Sequence, residues 1–206
     1  MRASTSIRAL LFDLGGVLID IDFDRVFTHW ARFSPYPAAD MLERFSFDGV
    51  YQRYERGEIR DADFFDHVRR VLHMDADDEQ IRTGWNAVFV RQNDEVLAMM
   101  ACLADRLPHY AFTNTSNAHQ LAWTHTYPDV VRAFKRIFSS AEMGLRKPEL
   151  AAYEAVIDAI GCDPASILFF DDLPSNIEGA RRAGLQAVQV GSPNDIRAAL
   201  ADNRLL

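Results

Sequence analysis

The sequence predicts an α/β fold: a parallel sheet flanked by helices, with a helical unit inserted after its first strand. Three observations predict it. Apolar runs of strand length recur along the chain, helical patterns alternate with the later ones, and residues 21–95 break that rhythm with helical patterns and no convincing strand. Strands alternating with helices imply a parallel sheet.

The first run, IRALLFD (7–13), reads as a strand buried on both faces and ends at Asp13. In the insertion, DFDRVFTHWARF places Phe23, Val26, Phe27, Trp30 and Phe33 on one helical face. Asp61 is expected to cap DFFDHVRRVLHM, whose Phe64, Phe65, Val68, Val71 and Leu72 point inward. Ile81, Trp85, Val88 and Phe89 form a further helical stripe. The runs HYAFTN (109–114), RIFSS (136–140), SILFFDD (166–172) and QAVQVG (186–191) then read as strands. Between them, ELAAYEAVIDAIG has helical spacing and stops at Gly161. The expected organisation is a core of residues 1–20 and 96–206 with a helical insertion at 21–95.

A chain of 206 residues can bury a full core, and 49% apolar against 25% charged residues, with three Trp and fourteen Phe, excludes a disordered protein. Thirty acidic and twenty-two basic residues give a formal charge of −8, and no basic block offsets it. Nucleic acid and anionic membranes are therefore excluded as partners, and a monomer or weak homodimer is expected. Cys102 and Cys162 have no metal or redox spacing and are expected as two buried thiols in a reducing compartment. The apolar run Ala9 to Phe12 is too short for a signal-peptide core, and no run reaches membrane-spanning length, so the cytoplasm is the expected location.

Each informative polar residue stands at or just past the C-terminal end of an expected strand. Asp13 ends the first, Thr113 and Asn114 the second, and Asp171 and Asp172 end SILFF, while Lys147 lies in the loop GLRKPE before a helix. Open parallel sheets bind ligands outside the carboxyl ends of their strands, so these groups can share one crevice. Three aspartates in one crevice need a cation, and oxygen ligands without His or Cys indicate Mg²⁺. Magnesium in turn implies a phosphate. Lys147 and the Thr113 hydroxyl suit its oxygens, the Gly15–Gly16 turn lets backbone N–H groups approach it, and Asp13 is left as the nucleophile of an aspartyl-phosphate. The six histidines show no paired ligand pattern.

Four ordered stretches, FDLGGVLID, FTNTSN, GLRKPE and FFDDLPSNIEGA, together resemble the motifs of the haloacid dehalogenase-like hydrolases. The resemblance implies a Rossmann-like core with a helical cap domain at 21–95. It implies Asp13 as nucleophile and metal ligand, and the Gly15 carbonyl as a second metal ligand. Thr113, Asn114, Lys147 and Gly16 would hold the phosphate. Asp172 would bind Mg²⁺, with Asp171 beside it as a ligand or one step behind. FDLGGVLIDIDF, the ERGEI at 55–59 and GLRKPE are most similar to bacterial phosphatases of alpha-D-glucose 1-phosphate, which implies a small phosphorylated metabolite as substrate.

One position departs from the family. Most of its phosphatases carry a second Asp two residues after the nucleophile, as general acid for the leaving group; here that residue is Gly15. General acid catalysis is worth about 10² to 10⁴-fold. A sugar 1-phosphate, whose anomeric hydroxyl is comparatively acidic, needs the proton less, and Asp20 or Asp22 could deliver one through water. The competing expectations are a catalytically weak binding or regulatory module, suggested by Gly15, and a 2-haloacid dehalogenase. The dehalogenase would not need magnesium, so the pair Asp171 and Asp172 argues against it.

Overall fold

The computed structural model describes residues 6–206, so the first five residues of the expected core lie outside the described part. Five parallel strands form the main sheet in the order β5-β4-β1-β6-β7. They are β1 (Ala9–Phe12), β4 (His109–Thr113), β5 (Arg136–Ser139), β6 (Ile167–Asp171) and β7 (Gln186–Gln189). All five were expected, each slightly longer than observed. The three central strands are buried along their whole length, while β5 and β7 at the edges are partly exposed. Alternation along β1 feeds both faces. Leu10 and Phe12 join Val96, Met100, Leu168, Phe170, Ile196 and Leu200 on one side; Ala9 and Leu11 join Phe112, Tyr153, Phe169 and Ile177 on the other.

Helices α6 (Asp94–Ala101), α7 (Asn117–Thr126), α8 (Pro128–Arg132), α9 (Ser140–Met143), α10 (Leu150–Ile160), α11 (Pro174–Arg182) and α12 (Pro193–Asp202) flank this sheet. Proline opens α8, α11 and α12, where its missing N–H costs nothing. No helix of the described residues is long and apolar enough to cross a membrane. Cys102 is exposed, contrary to expectation. Val96, Met99, Met100 and Leu103 make the inward stripe of α6 and its end, and residue 102 falls off it.

The insertion holds α1 (Phe23–Trp30), α2 (Ala38–Arg44), α3 (Gly49–Glu55), α4 (Asp61–Leu72) and α5 (Asp78–Asn86). These five helices bury a core of their own around Phe27, Trp30, Tyr54, Phe64 and Trp85. Asp61 does not cap α4. It is the first helical residue, the cap position belongs to Arg60, and the Asp61 carboxylate accepts the Tyr54 hydroxyl at 2.8 Å.

Two short strands overturn the reading of 21–95 as purely helical. β2 (Ile19–Ile21) pairs antiparallel with β3 (Phe89–Gln92), and α5 stops at Asn86, so Val88 and Phe89 do not extend its stripe. A three- or four-residue strand whose partner lies some seventy positions away has too short a pattern to be told from helical spacing. Leu14 launches the ribbon: its carbonyl accepts the N–H groups of Leu18 and Ile19, both at 2.8 Å.

Trp30 stacks on Trp85 with centroids 5.8 Å apart and donates its indole N–H to the Ile81 carbonyl at 3.0 Å. Gly84 makes this packing possible, because a Cβ there would lie 2.3 Å from Trp30 Cδ1. Helix propensity favours Ala over Gly by about 1 kcal/mol, whereas overpacking a filled core costs about 1–3 kcal/mol. Gly84→Ala should therefore lower Tm by a few degrees. A thermal melt at or above that of the wild type would show that Trp30 has room to move.

Candidate active site

The strand order places the site. β1 lies between β4 and β6, so residues following three adjacent parallel strands emerge at one edge about 5 Å apart. Asp13 follows β1, with its N–H still bonded to the Phe170 carbonyl at 2.8 Å; Thr113 ends β4; and Asp171 ends β6. Lys147 reaches this edge from the segment between α9 and α10. Its side chain is 0% exposed, and Nζ lies 2.9 Å from Asp13 Oδ2 and 2.6 Å from Asp171 Oδ2. The rings of Phe112 and Phe169 stand 5.3 and 5.5 Å from the ammonium and close it off from water.

Each partner is itself held. Asp13 Oδ1 accepts the Leu14 N–H at 2.7 Å. Asp171 Oδ1 accepts the Leu173 N–H and the Asn176 amide, both at 2.9 Å, and the same amide lies 3.1 Å from Oδ2. With the lysine, these contacts occupy the four acceptor directions of the Asp171 carboxylate. Asn114 donates its amide N–H to the Lys147 carbonyl and accepts the Lys147 N–H, each at 2.9 Å. Its carboxamide therefore clamps the lysine's main chain, where the resemblance implied a phosphate ligand.

Asp172 stands on the rim. Its carboxylate lies over Gly16, where a Cβ would come within 2.5 Å of Oδ2 and where φ is +74°, so position 16 requires glycine on both counts. Gly15 is different. A Cβ there would meet nothing closer than Ile21 Cδ1 at 3.4 Å, an ordinary contact. Thr113 is buried at the end of β4, and no hydrogen bond among the described residues ties its hydroxyl to the other groups.

One ammonium faces three carboxylates. Burial pushes the Asp13 carboxyl well above the usual range, Lys147 opposes that, and Asp171 and Asp172 add to it. Asp172 is raised by burial and then by Asp171. Burial works against the charge of Lys147, but Asp13 and Asp171 outweigh it and hold its pKa above the ordinary value. One oxygen from each of Asp13, Asp171 and Asp172 lies within 4.8 Å of the others. An all-oxygen, net-negative set of this kind fits a hard divalent cation such as Mg²⁺.

Sequence reasoning missed Asn176. It is a buried polar residue on the same inward face of α11 as Ile177 and Ala180, and that interruption of an apolar stripe was its available signal. The histidines stay outside the site. His119, buried where α7 meets the insertion, is driven to a pKa of about 4 by burial, with Nε2 3.0 Å from the Trp85 carbonyl.

Comparison with known proteins agrees with this geometry. A phosphatase of Mycobacterium tuberculosis is 30% identical over 207 residues, covering 93% of this chain and 91% of that protein. The D-ribitol-5-phosphate phosphatase of Bacteroides thetaiotaomicron is 23% identical over 93% of this chain and 95% of its own length. The crystal structure of a haloacid dehalogenase family enzyme from the same organism, in complex with magnesium and inorganic phosphate, matches with a TM-score of 0.78 at 30% identity. It covers 89% of this chain and 94% of that one. Residues 7–184 match the haloacid dehalogenase-like hydrolase family, and with a parallel sheet that gathers Asp13, Lys147, Asp171 and Asp172 at one edge, the chain belongs to that family.

Proposed function

We propose that this protein is a Mg²⁺-dependent phosphatase that hydrolyses a small phosphorylated metabolite, a sugar phosphate such as a sugar 1-phosphate, through an aspartyl-phosphate. The observation that carries the proposal is the buried Lys147 ammonium bridging Asp13 and Asp171 with Asp172 at hand. Relatives named as phosphatases and a similar enzyme holding magnesium and phosphate support it. In this reading helices α1–α5 form a cap within 21–95 over the core of 1–20 and 96–206.

Asp13, Asp172 and the Gly15 carbonyl would hold the metal, with Asp171 oriented behind them by Lys147 and Asn176. Mg²⁺, when bound, supplies positive charge for the phosphoryl oxygens and the surrounding carboxylates. The Leu14 N–H fixes one Asp13 oxygen, leaving the other, beside Lys147, to attack phosphorus. The P–O bond to the leaving group breaks, and its electron pair stays on the departing oxygen. Lys147 and the Thr113 hydroxyl stabilise the phosphoryl oxygens as charge redistributes. Water then attacks phosphorus and releases phosphate, which restores the Asp13 carboxylate.

A dehalogenase needs no cation, so three clustered carboxylates would only burden it. The binding-module reading rests on Gly15, and para-nitrophenyl phosphate separates it from catalysis. We expect turnover with Mg²⁺ and none in a metal chelator, and loss of activity in Asp13→Asn, whose amide is neither a nucleophile nor a charged ligand. Wild-type rates from Asp13→Asn in metal-free buffer would sink the mechanism. Asp172→Asn should raise Tm in chelator by relieving like-charge repulsion, and should shrink the Tm gain on adding Mg²⁺. A lower Tm in chelator with the full magnesium gain intact would contradict the assignment.

Gly15 makes leaving-group acidity decisive. Phosphoryl transfer builds charge on the departing oxygen, and the family's usual acid is missing. Aryl and sugar 1-phosphates should therefore outpace primary alkyl phosphates, with kcat/KM depending steeply on leaving-group acidity across substituted phenyl phosphates. The relative named for D-ribitol 5-phosphate makes this a real test, since that compound is a primary alkyl phosphate. Gly15→Asp adds a Cβ that meets nothing closer than Ile21 Cδ1 at 3.4 Å, and should flatten the dependence if its carboxyl reaches the leaving oxygen. A flat wild-type plot, with phosphoryl transfer rate-limiting, would mean that another group supplies the proton.

A further inference from the structure

The stretch Glu55 to Ile59 is far in sequence from every acid of the site, yet it is one of the places where the inserted helices are fastened to the core. Glu55 ends α3 and is only 5% exposed. Its Oε2 accepts the Arg146 Nε–H at 2.8 Å and lies 2.8 Å from Nη2 in the same ion pair, and its Oε1 accepts the Tyr51 hydroxyl at 2.8 Å. The carboxylate is thus satisfied on both oxygens, by a partner from the core segment and by one from its own helix. The Glu55 carbonyl accepts the fully buried Ser140 hydroxyl at 2.6 Å, and that hydroxyl in turn accepts the Thr115 N–H at 2.9 Å.

The next residues continue the attachment. Arg56 pairs with Glu149. Gly57 has φ +68° and packs against α9 so closely that a Cβ would lie 2.4 Å from the Ala141 carbonyl oxygen, which explains a glycine at that position. Arg146 and Glu149, the two core partners, flank Lys147 and Pro148.

A buried ion pair gains little over well-packed apolar residues as a source of stability, because desolvation offsets the attraction. What it supplies is geometry: a planar guanidinium donates to a carboxylate in few orientations. Here the constrained residue is the immediate neighbour of Lys147. Asn114 clamps the lysine's own peptide groups from β4, and Glu55 holds the residue before it from α3. We propose that Glu55 is a positioning residue: by gripping Arg146 it sets the segment that carries Lys147, and by the same contact it seats helices α1–α5 against the sheet. The kinetic part of this inference rests on the phosphatase reading; the structural part does not.

The test uses the intact protein, with Glu55→Gln, Arg146→Gln, the double variant, Arg146→Lys and the milder Tyr51→Phe. Amide hydrogen exchange over residues 145–149 should speed up about tenfold or more in Glu55→Gln and to a lesser degree in Tyr51→Phe. With Mg²⁺ and para-nitrophenyl phosphate, kcat in Glu55→Gln should fall about tenfold or more with a smaller change in KM, because a displaced ammonium weakens the transition state more than ground-state binding. The double variant should be no worse than the poorer single one, and Arg146→Lys should recover part of what Arg146→Gln loses. Unchanged exchange at 145–149 in Glu55→Gln, with loosening confined to α3, would overturn the proposal, as would single-variant losses that multiply in the double. If Glu55→Gln does not fold, Tyr51→Phe decides, and unchanged exchange at 145–149 in that variant counts against the proposal. A wild type that turns over no phosphate ester would remove the phosphatase reading, and the exchange measurement would then decide the clasp by itself.

Discussion

The structure is organised around one buried positive charge. A lysine ammonium taken fully out of water costs several kcal/mol unless it is paired and hydrogen-bonded. Lys147 meets that demand with Asp13 at 2.9 Å and Asp171 at 2.6 Å. Those two acids come from different strands, so the solution works only if β1 and β6 are neighbours and parallel, with their carboxyl ends level; their register, Phe12 opposite Phe170, provides this. The demand then propagates. Asn176 and the Leu173 N–H fill what Lys147 leaves open on Asp171, Tyr153 holds the Asn176 carbonyl at 2.7 Å, and Asn114 fixes the lysine's backbone from β4. Both carboxylate oxygens of Asp171 and both ends of the Asn114 carboxamide thus have partners, which is the condition for a polar network to sit inside a core.

Pairing Lys147 still leaves the crevice short of positive charge. Three carboxylates and one ammonium leave Asp13 and Asp172 with raised pKa values, first through burial and then through mutual repulsion. This arrangement is poor for stability by itself and useful when a divalent cation completes it. The rim position of Asp172 against the fully buried Asp171 divides the two roles: the acid saturated by protein donors orients the lysine, and the freer one faces the crevice.

The parts legible in the sequence were those whose physics is local or periodic. β1, β4 and β6 are buried on both faces, so they appear as unbroken apolar runs, and the rule that ligands collect at strand ends then pointed to Asp13, Asp171, Asp172 and Lys147. The ribbon of β2 and β3 was not legible, since its pairing is long-range and its strands too short to show a period. Asn114 stands at the expected edge, but the bond of its carboxamide to the Lys147 peptide groups was not legible, because a carboxamide that binds a peptide group has the same sequence appearance as one that binds a ligand. Arg146 carried no signal of its own in the sequence, because the partner that engages it, Glu55, stands ninety-one positions earlier.

Besides the packing of Trp85 on His119, two attachments of the insertion to the core lead back to the same few atoms. At one end the Leu14 carbonyl starts the turn into β2, which brings Ile21 over Gly15. At the other, Glu55 and Gly57 press on the segment from Ala141 to Glu149 that holds Lys147. The space above Gly15, where the family's usual acid would stand, is therefore faced by the exposed aliphatic side chain of Ile21 and by no carboxyl at that position. In the phosphatase reading proposed above, an apolar neighbour there could not donate a proton to a departing alkoxide. In that reading a small residue at 15 and a methyl group above it would act in the same direction, placing the burden of charge neutralisation on the leaving group's own acidity, while Lys147 and the Leu14 N–H stay fixed on Asp13.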